Sequence, residues 1–112
     1  MDVTRIDDAR PYDAKGHFGV TALRLQGLEA TRIRAFWIGL SHFQPGGGAE
    51  MSASDVERVY VVQSGEITVV TDAGEVVLKP MDSCEIAPGE RRAVFNRGTS
   101  LASMLVIVAK KG

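Results

Sequence analysis

Two arginines hold the clearest potential for chemistry in this 112-residue sequence. Arg58 begins the run RVYVV, residues 58 to 62, and Arg92 begins the run RAVF, residues 92 to 95. Both runs are rich in β-branched and aromatic residues, which is typical of buried strands. An isolated buried charge is very costly, so each guanidinium that points inward needs a partner.

Two kinds of partner are open for these arginines. The internal kind is a carboxylate that folds over them in a structural ion pair. The external kind is an anionic ligand, because a guanidinium matches carboxylate or phosphate oxygens in a bidentate fork. The sequence offers four nearby carboxylates for the internal pairing: Glu50, Asp55, Glu57 and Glu90.

Strand alternation predicts which side chains surround the arginines. If Arg58 points inward, Tyr60 and Val62 share its face, and if Arg92 does, Val94 and Asn96 share its face. Residues 33–43 form a further strand with two possible inner faces. One face holds Phe36, Ile38, Leu40 and His42, and the other holds Trp37, Gly39, Ser41 and Phe43. The second face, with small residues beside Trp37, fits a pocket wall better.

Three residues are candidates for moving a proton in such a pocket. Tyr60 follows Arg58 by two residues and is able to donate to a bound carboxylate, although a barrel tyrosine also serves in packing. His42 ends its strand beside a glycine-rich turn, where a rim or packing role is the alternative. Glu50 is the third candidate.

The rest of the sequence predicts an all-β domain. Strands are expected at residues 20–25, 33–43, 59–63, 66–71, 75–78, 83–86, 92–95 and 101–109, separated by glycine and proline. QSGE and TDAGE read as hairpin connections, and the triplet Gly46–Gly48 as a tight turn. No window shows a capped helical stripe, so little helix is expected.

Three segments resemble the two-motif core of the cupin superfamily: FQPGG, VERVYVVQSGEITVV and LKPMDSCEIAPGERRAVFNRG. Gly65 matches the glycine of the first motif, and Gly89 and Asn96 match the second. The resemblance covers residues 33–109 and implies a double-stranded β-helix, the jelly-roll-like cupin barrel. The length of the chain makes residues 1–112 a single domain. Residues 1–32 are expected to add strands at the edge of a homodimer.

The positions that hold metal ligands in cupins carry other residues here. The glutamate position falls on Arg58 and the second-motif histidine position on Arg92. The two first-motif histidine positions fall on Met51 and Ala53, or on Ser52 and Ser54 with shorter spacing. The resemblance therefore implies a cupin pocket without a metal and without another cofactor. By analogy with the last cupin strand, Met104, Val106 and Val108 are expected to complete an apolar wall.

Two functions follow as hypotheses. In the first, Arg58 and Arg92 hold a small anionic metabolite, an organic acid, in the barrel, with lyase, isomerase or hydratase chemistry as the catalytic option. Trp37, Met51, Ala53, Val62, Val94, Met104 and Val106 would line the remaining ligand-binding surface. In the second, the chain is a non-catalytic accessory or sensing module whose arginines form structural ion pairs.

Composition limits the partners. The net charge of −1 and the pI of about 6.1 disfavour nucleic acid and anionic membranes. The longest apolar run, residues 104–109, is too short to span a bilayer. The polar N-terminal residues do not resemble a secretory signal, and Cys84 has no second cysteine to pair with. We therefore expect a cytoplasmic protein, and the resemblance to cupins implies a homodimer.

Overall fold

The computed structural model describes residues 1–111 as nine strands joined by short loops. The strands are β1 (Arg10–Tyr12), β2 (His17–Gln26), β3 (Phe36–Ser52), β4 (Arg58–Ser64), β5 (Ile67–Thr71), β6 (Gly74–Leu78), β7 (Ser83–Ile86), β8 (Arg92–Phe95) and β9 (Ala102–Ala109). Within residues 1–111, the only helical segment is a single 3₁₀ turn, Ile6–Asp8. No helix in this range is long and apolar enough to cross a membrane.

The strands form one antiparallel sheet that curls into a barrel. Its strand order is β6-β5-β8-β3-β9-β4-β7, with β2 on β3 and β1 on β2. Sequence neighbours β5 and β6 pair as a hairpin, whereas β8 lies between β5 and β3, and β9 between β3 and β4. This exchange of strands between the two halves is the double-stranded β-helix that the sequence predicts.

Most strands lie where alternation and glycine spacing predict them. β7 and β8 match residue for residue, and β4, β5, β6 and β9 agree within one residue at either end. The N-terminal strand is longer than expected, at residues 17–26, and pairs with β3 of the same chain. The short strand β1 had no sequence signal, because three residues are too few to show alternation.

The largest difference from the sequence prediction is at the glycine triplet. The prediction was a tight turn, but β3 continues through Gly46–Gly48 to Ser52. Its first half pairs with β9, from Phe36 to Phe43, and its second half pairs with β8 from Gly48 onward. The triplet therefore bends one long strand between the two halves of the barrel.

The bend at the triplet requires residues without a Cβ atom. Gly46 has a φ of 84°, a left-handed conformation that favours glycine. A Cβ atom on Gly48 would lie 2.3 Å from the carbonyl oxygen of Val94, and one on Gly47 would lie 2.4 Å from that of Gly19. Asn96 fastens the bend, because its Nδ2 donates to the carbonyl oxygens of Phe43 at 2.9 Å and Ser100 at 2.8 Å.

The core fills one part of the barrel interior. Its members come from seven strands, β3 to β9, and meet between the two halves of the sheet. They are Phe43, Tyr60, Val62, Ile67, Val69, Leu78, Ile86, Val94, Ala102, Met104, Val106 and Val108. The remaining interior is open and carries the polar side chains described below.

We predict that Gly48→Ala lowers the free energy of unfolding by about 1–3 kcal/mol, because the added methyl group overlaps the backbone of β8. Gly98→Ala is the matched control, since its Cβ atom would meet only Asn96 Oδ1 at 3.4 Å, an ordinary contact. Urea denaturation measures both variants. Equal stability of the two would show that the close approach at Gly48 is not needed for the bend.

Candidate functional site

A cavity of about 270 Å³ lies between the N-terminal segment and the inner faces of four strands. Polar and apolar side chains share its wall, which suits a small polar ligand. β3 contributes Trp37, Ser41, Phe43, Ala49, Glu50 and Ser52, and the N-terminal segment contributes Tyr12, Ala14, Lys15 and His17. Arg58 and Tyr60 come from β4, Arg92 and Val94 from β8, and Met104 and Val106 from β9.

The structure brings eight of the twelve sequence-predicted site residues together on this wall. They are Trp37, Glu50, Arg58, Tyr60, Arg92, Val94, Met104 and Val106. The face of residues 33–43 that points inward is the one with Trp37, Ser41 and Phe43, as small residues beside a tryptophan suggested. What each of these residues does in binding or catalysis stays a prediction.

Four sequence-predicted site residues lie elsewhere. His42 points to the opposite face of β3, where its Nδ1 is 2.7 Å from Ser103 Oγ. Val62 is fully buried in the core, one inward position beyond Tyr60 on β4. Met51 and Ala53 are exposed, because the pairing register of β3 with β8 shifts between Ala49 and Ser52 and interrupts simple alternation.

Arg92 is held by three acceptors of the protein. Its Nε donates to the Tyr60 hydroxyl at 3.1 Å, and its Nη1 donates to the backbone oxygen of Ser52 at 2.9 Å and to Ser52 Oγ at 3.2 Å. Tyr60 is only 4% exposed, so its hydroxyl lies at the cavity wall on a buried ring. Because that oxygen accepts from Arg92, its own proton stays free to be donated to a ligand.

Arg58 is less completely satisfied. Its Nη2 donates to Ser54 Oγ at 2.9 Å, whereas its buried Nε has no hydrogen-bond acceptor among residues 1–111. Burial lowers the pKa of Arg58, and the nearby positive charge of Arg92 lowers it further. The two guanidiniums therefore repel each other at the cavity wall, and one of them keeps an unused donor.

None of the four carboxylates that could neutralise these arginines does so. Across the ion pairs formed by residues 1–111, neither Arg58 nor Arg92 takes part. Asp55 pairs with Lys111 instead, and Glu90 Oε1 accepts from the backbone nitrogen of Ala87 at 2.9 Å. The internal ion pairs that the accessory-module hypothesis requires are thus not found in this part of the chain.

The donor set does not suit a resident metal ion of the kind that cupins hold. Transition metals in proteins need imidazole, carboxylate or thiolate ligands that converge in one shell. Of the positions that hold metal ligands in cupins, the cavity wall carries Ser52, Arg58 and Arg92, which supply a hydroxyl group and two positive charges. No three His, Cys, Asp or Glu side chains within residues 1–111 cluster in a way that could hold a metal.

Sequence reasoning missed the N-terminal contribution to the wall. Tyr12, Ala14, Lys15 and His17 reach the cavity because Tyr12 pairs with Ala22, and the backbone nitrogen of Glu50 donates to the oxygen of Gly16 at 2.9 Å. These contacts join residues 10 and 34 positions apart in the sequence, so no local sequence pattern predicts them. The only hint was that Tyr12 is one of two tyrosines in the chain.

The protein-family model for the cupin domain matches residues 39–108, which include β4 to β9 and most of β3. The chain belongs to the cupin family. Two solved structures agree in fold over 99% of this cupin. They are a predicted oxalate decarboxylase from Thermotoga maritima (22% identity, all of that chain, TM-score 0.83) and the polyketide cyclase RemF from Streptomyces resistomycificus (17%, 80% of that chain, TM-score 0.88). At these identities the similarity concerns the fold alone.

A curated relative is much more similar in sequence. The protein named beta-D-galactosidase Rv1717, from Mycobacterium tuberculosis, is 46% identical to this cupin over 109 residues. The match covers 97% of this chain and 94% of the relative. The whole domain, including the N-terminal strands, is therefore shared between the two proteins.

We predict that Arg58→Met leaves the free energy of unfolding unchanged or raises it by about 1 kcal/mol, because it removes an unpaired buried donor and a like-charge repulsion. Arg92→Met is expected to lower it by about 1–2 kcal/mol, since three hydrogen bonds are lost. Chemical denaturation measures both. A loss of about 3 kcal/mol or more in Arg58→Met would reveal a structural ion pair.

Proposed function

We propose that the cavity binds a small anionic metabolite, held by Arg58 and Arg92 without a metal ion. The observation that supports this most directly is the buried Nε of Arg58, a charged donor with no acceptor among residues 1–111. A carboxylate or phosphate would accept from such a donor and would offset the repulsion between the two guanidiniums. Lys15 and His17 add further basic groups to the wall.

The same arrangement suits a lyase or isomerase step on an organic acid. Two guanidiniums beside a bound carboxylate favour the negative charge that develops when a proton is removed next to it. Tyr60 and Glu50 are the groups on the wall that would move that proton, because His42 points away from the cavity. Tyr60 is the better placed of the two, since Arg92 orients its hydroxyl.

The anion proposal predicts a charge-dependent thermal shift. A carboxylate at 100 times its dissociation constant should stabilise the wild type by about 2.7 kcal/mol, or about 10 °C in melting temperature. Arg58→Met and Arg92→Met should abolish the shift. Arg91→Met is the matched control, because Arg91 is an exposed sequence neighbour that lies near Asp72 instead. A screen in which no organic or sugar acid shifts the wild type would contradict the proposal.

A second candidate function is the hydrolysis of β-D-galactosides, which the name of the 46% identical relative favours. Most glycosidases use two carboxyl groups at the bond that breaks. Of the described residues, only Glu50 supplies a carboxyl group to this cavity wall. Tyr60 would then be the second group, since some glycosidases use a tyrosine nucleophile, and the adjacent Arg92 would stabilise its phenolate.

The galactosidase candidate predicts that the wild type hydrolyses 4-nitrophenyl β-D-galactopyranoside. Glu50→Gln and Tyr60→Phe should each lower kcat by about 100-fold or more, because each removes a reacting group. Glu66→Gln is a suitable control, as Glu66 is exposed and lies off the cavity wall. Release of nitrophenolate is followed at 25 °C. Full activity in both site variants would assign the hydrolysis to other residues, and no release by the wild type would reject the candidate.

A further inference from the structure

An aromatic corner stands beside the two arginines in the cavity. The rings of Tyr12 and Trp37 meet edge to face, with 5.7 Å between their centroids and an angle of 86° between their planes. Both residues line the cavity wall, together with Arg58 and Arg92. Neither the anion-binding role nor the proton transfer described above makes use of this corner.

Neighbouring side chains hold the aromatic corner in a fixed arrangement, so it is not a chance contact of exposed side chains. The Arg24 guanidinium lies 3.8 Å from the centroid of the Tyr12 ring and 4.5 Å from that of Trp37, which is cation–π geometry. The Arg24 side chain is only 11% exposed, and its Nε donates to Glu29 Oε1 at 3.1 Å. Arg24 thus fixes both rings in place and is itself fixed by Glu29.

Two glycines give the corner its space. A Cβ atom on Gly39 would lie 2.7 Å from the Tyr12 hydroxyl, and one on Gly27 would lie 2.7 Å from the Cβ atom of Trp37. A side chain at Gly39 would press on the Tyr12 hydroxyl, and one at Gly27 would press on the backbone of Trp37, so either would shift an aromatic residue. The chain therefore keeps both positions small where the aromatic residues approach the backbone.

The Tyr12 hydroxyl is available to a ligand. It makes no side-chain hydrogen bond within residues 1–111, although it lies on a wall that also holds the Arg58 guanidinium. Burial raises the pKa of Tyr12, so its hydroxyl stays protonated and neutral at ordinary pH. A neutral phenol beside an indole ring suits the alternating C–H and O–H surface of a sugar ring, which stacks on aromatic faces and accepts hydrogen bonds.

We infer that Tyr12 and Trp37 form a second subsite that takes a sugar ring, so that the ligand of the cavity is a sugar acid whose carboxylate lies on Arg58 and Arg92. This inference rests on the proposed anion site and names its substrate class. A cavity of about 270 Å³ has room for a single hexuronic acid. A galactose-like ring would also agree with the name of the 46% identical relative.

Three probes separate the two parts of the ligand. D-Galacturonate carries the ring and the carboxylate, D-galactose carries the ring alone, and glycolate carries a carboxylate and one hydroxyl without a ring. Isothermal titration should give a dissociation constant for D-galacturonate at least about tenfold lower than that of either other probe. This comparison uses wild-type protein, so it holds even where a variant fails to fold.

Variants of the two aromatic residues test whether the preference for D-galacturonate comes from the aromatic corner. Tyr12→Leu and Trp37→Leu should raise the dissociation constant of D-galacturonate by about tenfold and leave that of glycolate unchanged. Tyr12→Phe should fall between wild type and Tyr12→Leu, because it keeps the ring and loses the hydroxyl. Arg58→Met should weaken both acids. Arg10→Gln is the matched control, since Arg10 lies on β1 beside Tyr12 but is exposed and off the cavity wall.

The outcomes distinguish the failure of the two proposals. If glycolate binds as tightly as D-galacturonate, or if the aromatic variants weaken both acids equally, the anion site stands and the sugar subsite is wrong. If D-galactose binds as tightly as D-galacturonate, the ring is recognised but the ligand is not an acid, and the inference is likewise overturned. If no carboxylate binds the wild type, the anion proposal fails and the subsite inference fails with it.

Discussion

The barrel depends on the bend that β3 makes at the glycine triplet. On one side of the bend β3 pairs with β9, and on the other side it pairs with β8, so a single strand joins both halves of the sheet. At Gly47 and Gly48, backbone oxygens of other strands come so close that a Cβ atom would overlap them. The side-chain amide of Asn96 holds the bend in place. Asn96 is only 1% exposed, so bulk water does not compete for its hydrogen bonds.

The same bend assembles the cavity. Trp37, Ser41 and Phe43 come from the half of β3 before it, and Ala49, Glu50 and Ser52 come from the half after it. β8 and β9, which pair with these halves, bring Arg92 and Met104 to the same wall. A packing requirement at the triplet is therefore also the condition for placing an arginine from β8 against a tyrosine from β4.

The strand positions and inward-facing residues that depend on local alternation and motif spacing could be predicted from the sequence. The features that depend on pairing between distant strands could not. The strands and the inward direction of Arg58, Tyr60, Arg92 and Val94 follow from period-two patterns. Met51 and Ala53 were misplaced because a register shift lies just before them, and such shifts leave no mark in composition. Tyr12 was missed because its position depends on two successive pairings. β1 pairs with β2, and β2 pairs with β3, which begins ten residues after β2 ends.

The charges of the cavity lower the stability of the fold, which agrees with the proposed role in binding a ligand. The two guanidiniums repel each other, and Arg58 keeps a buried donor without an acceptor among residues 1–111. Asp55 and Glu90, two of the nearby acidic residues, bond elsewhere. A barrel selected for stability alone would have placed apolar side chains at these positions, since burying unpaired polar groups lowers stability. Proteins tolerate such local cost mainly at functional sites.

The arrangement of the wall also limits which ligand could offset that cost. A neutral sugar would occupy the aromatic corner but leave the two positive charges facing each other. A small carboxylate would offset the charges but leave the Tyr12 and Trp37 rings without contact. Only a molecule that carries an anionic group close to a hydroxylated ring would contact both the arginines and the aromatic corner. Both parts lie on the wall of one cavity of about 270 Å³, so the proposed ligand carries the acid and the ring in one compact molecule.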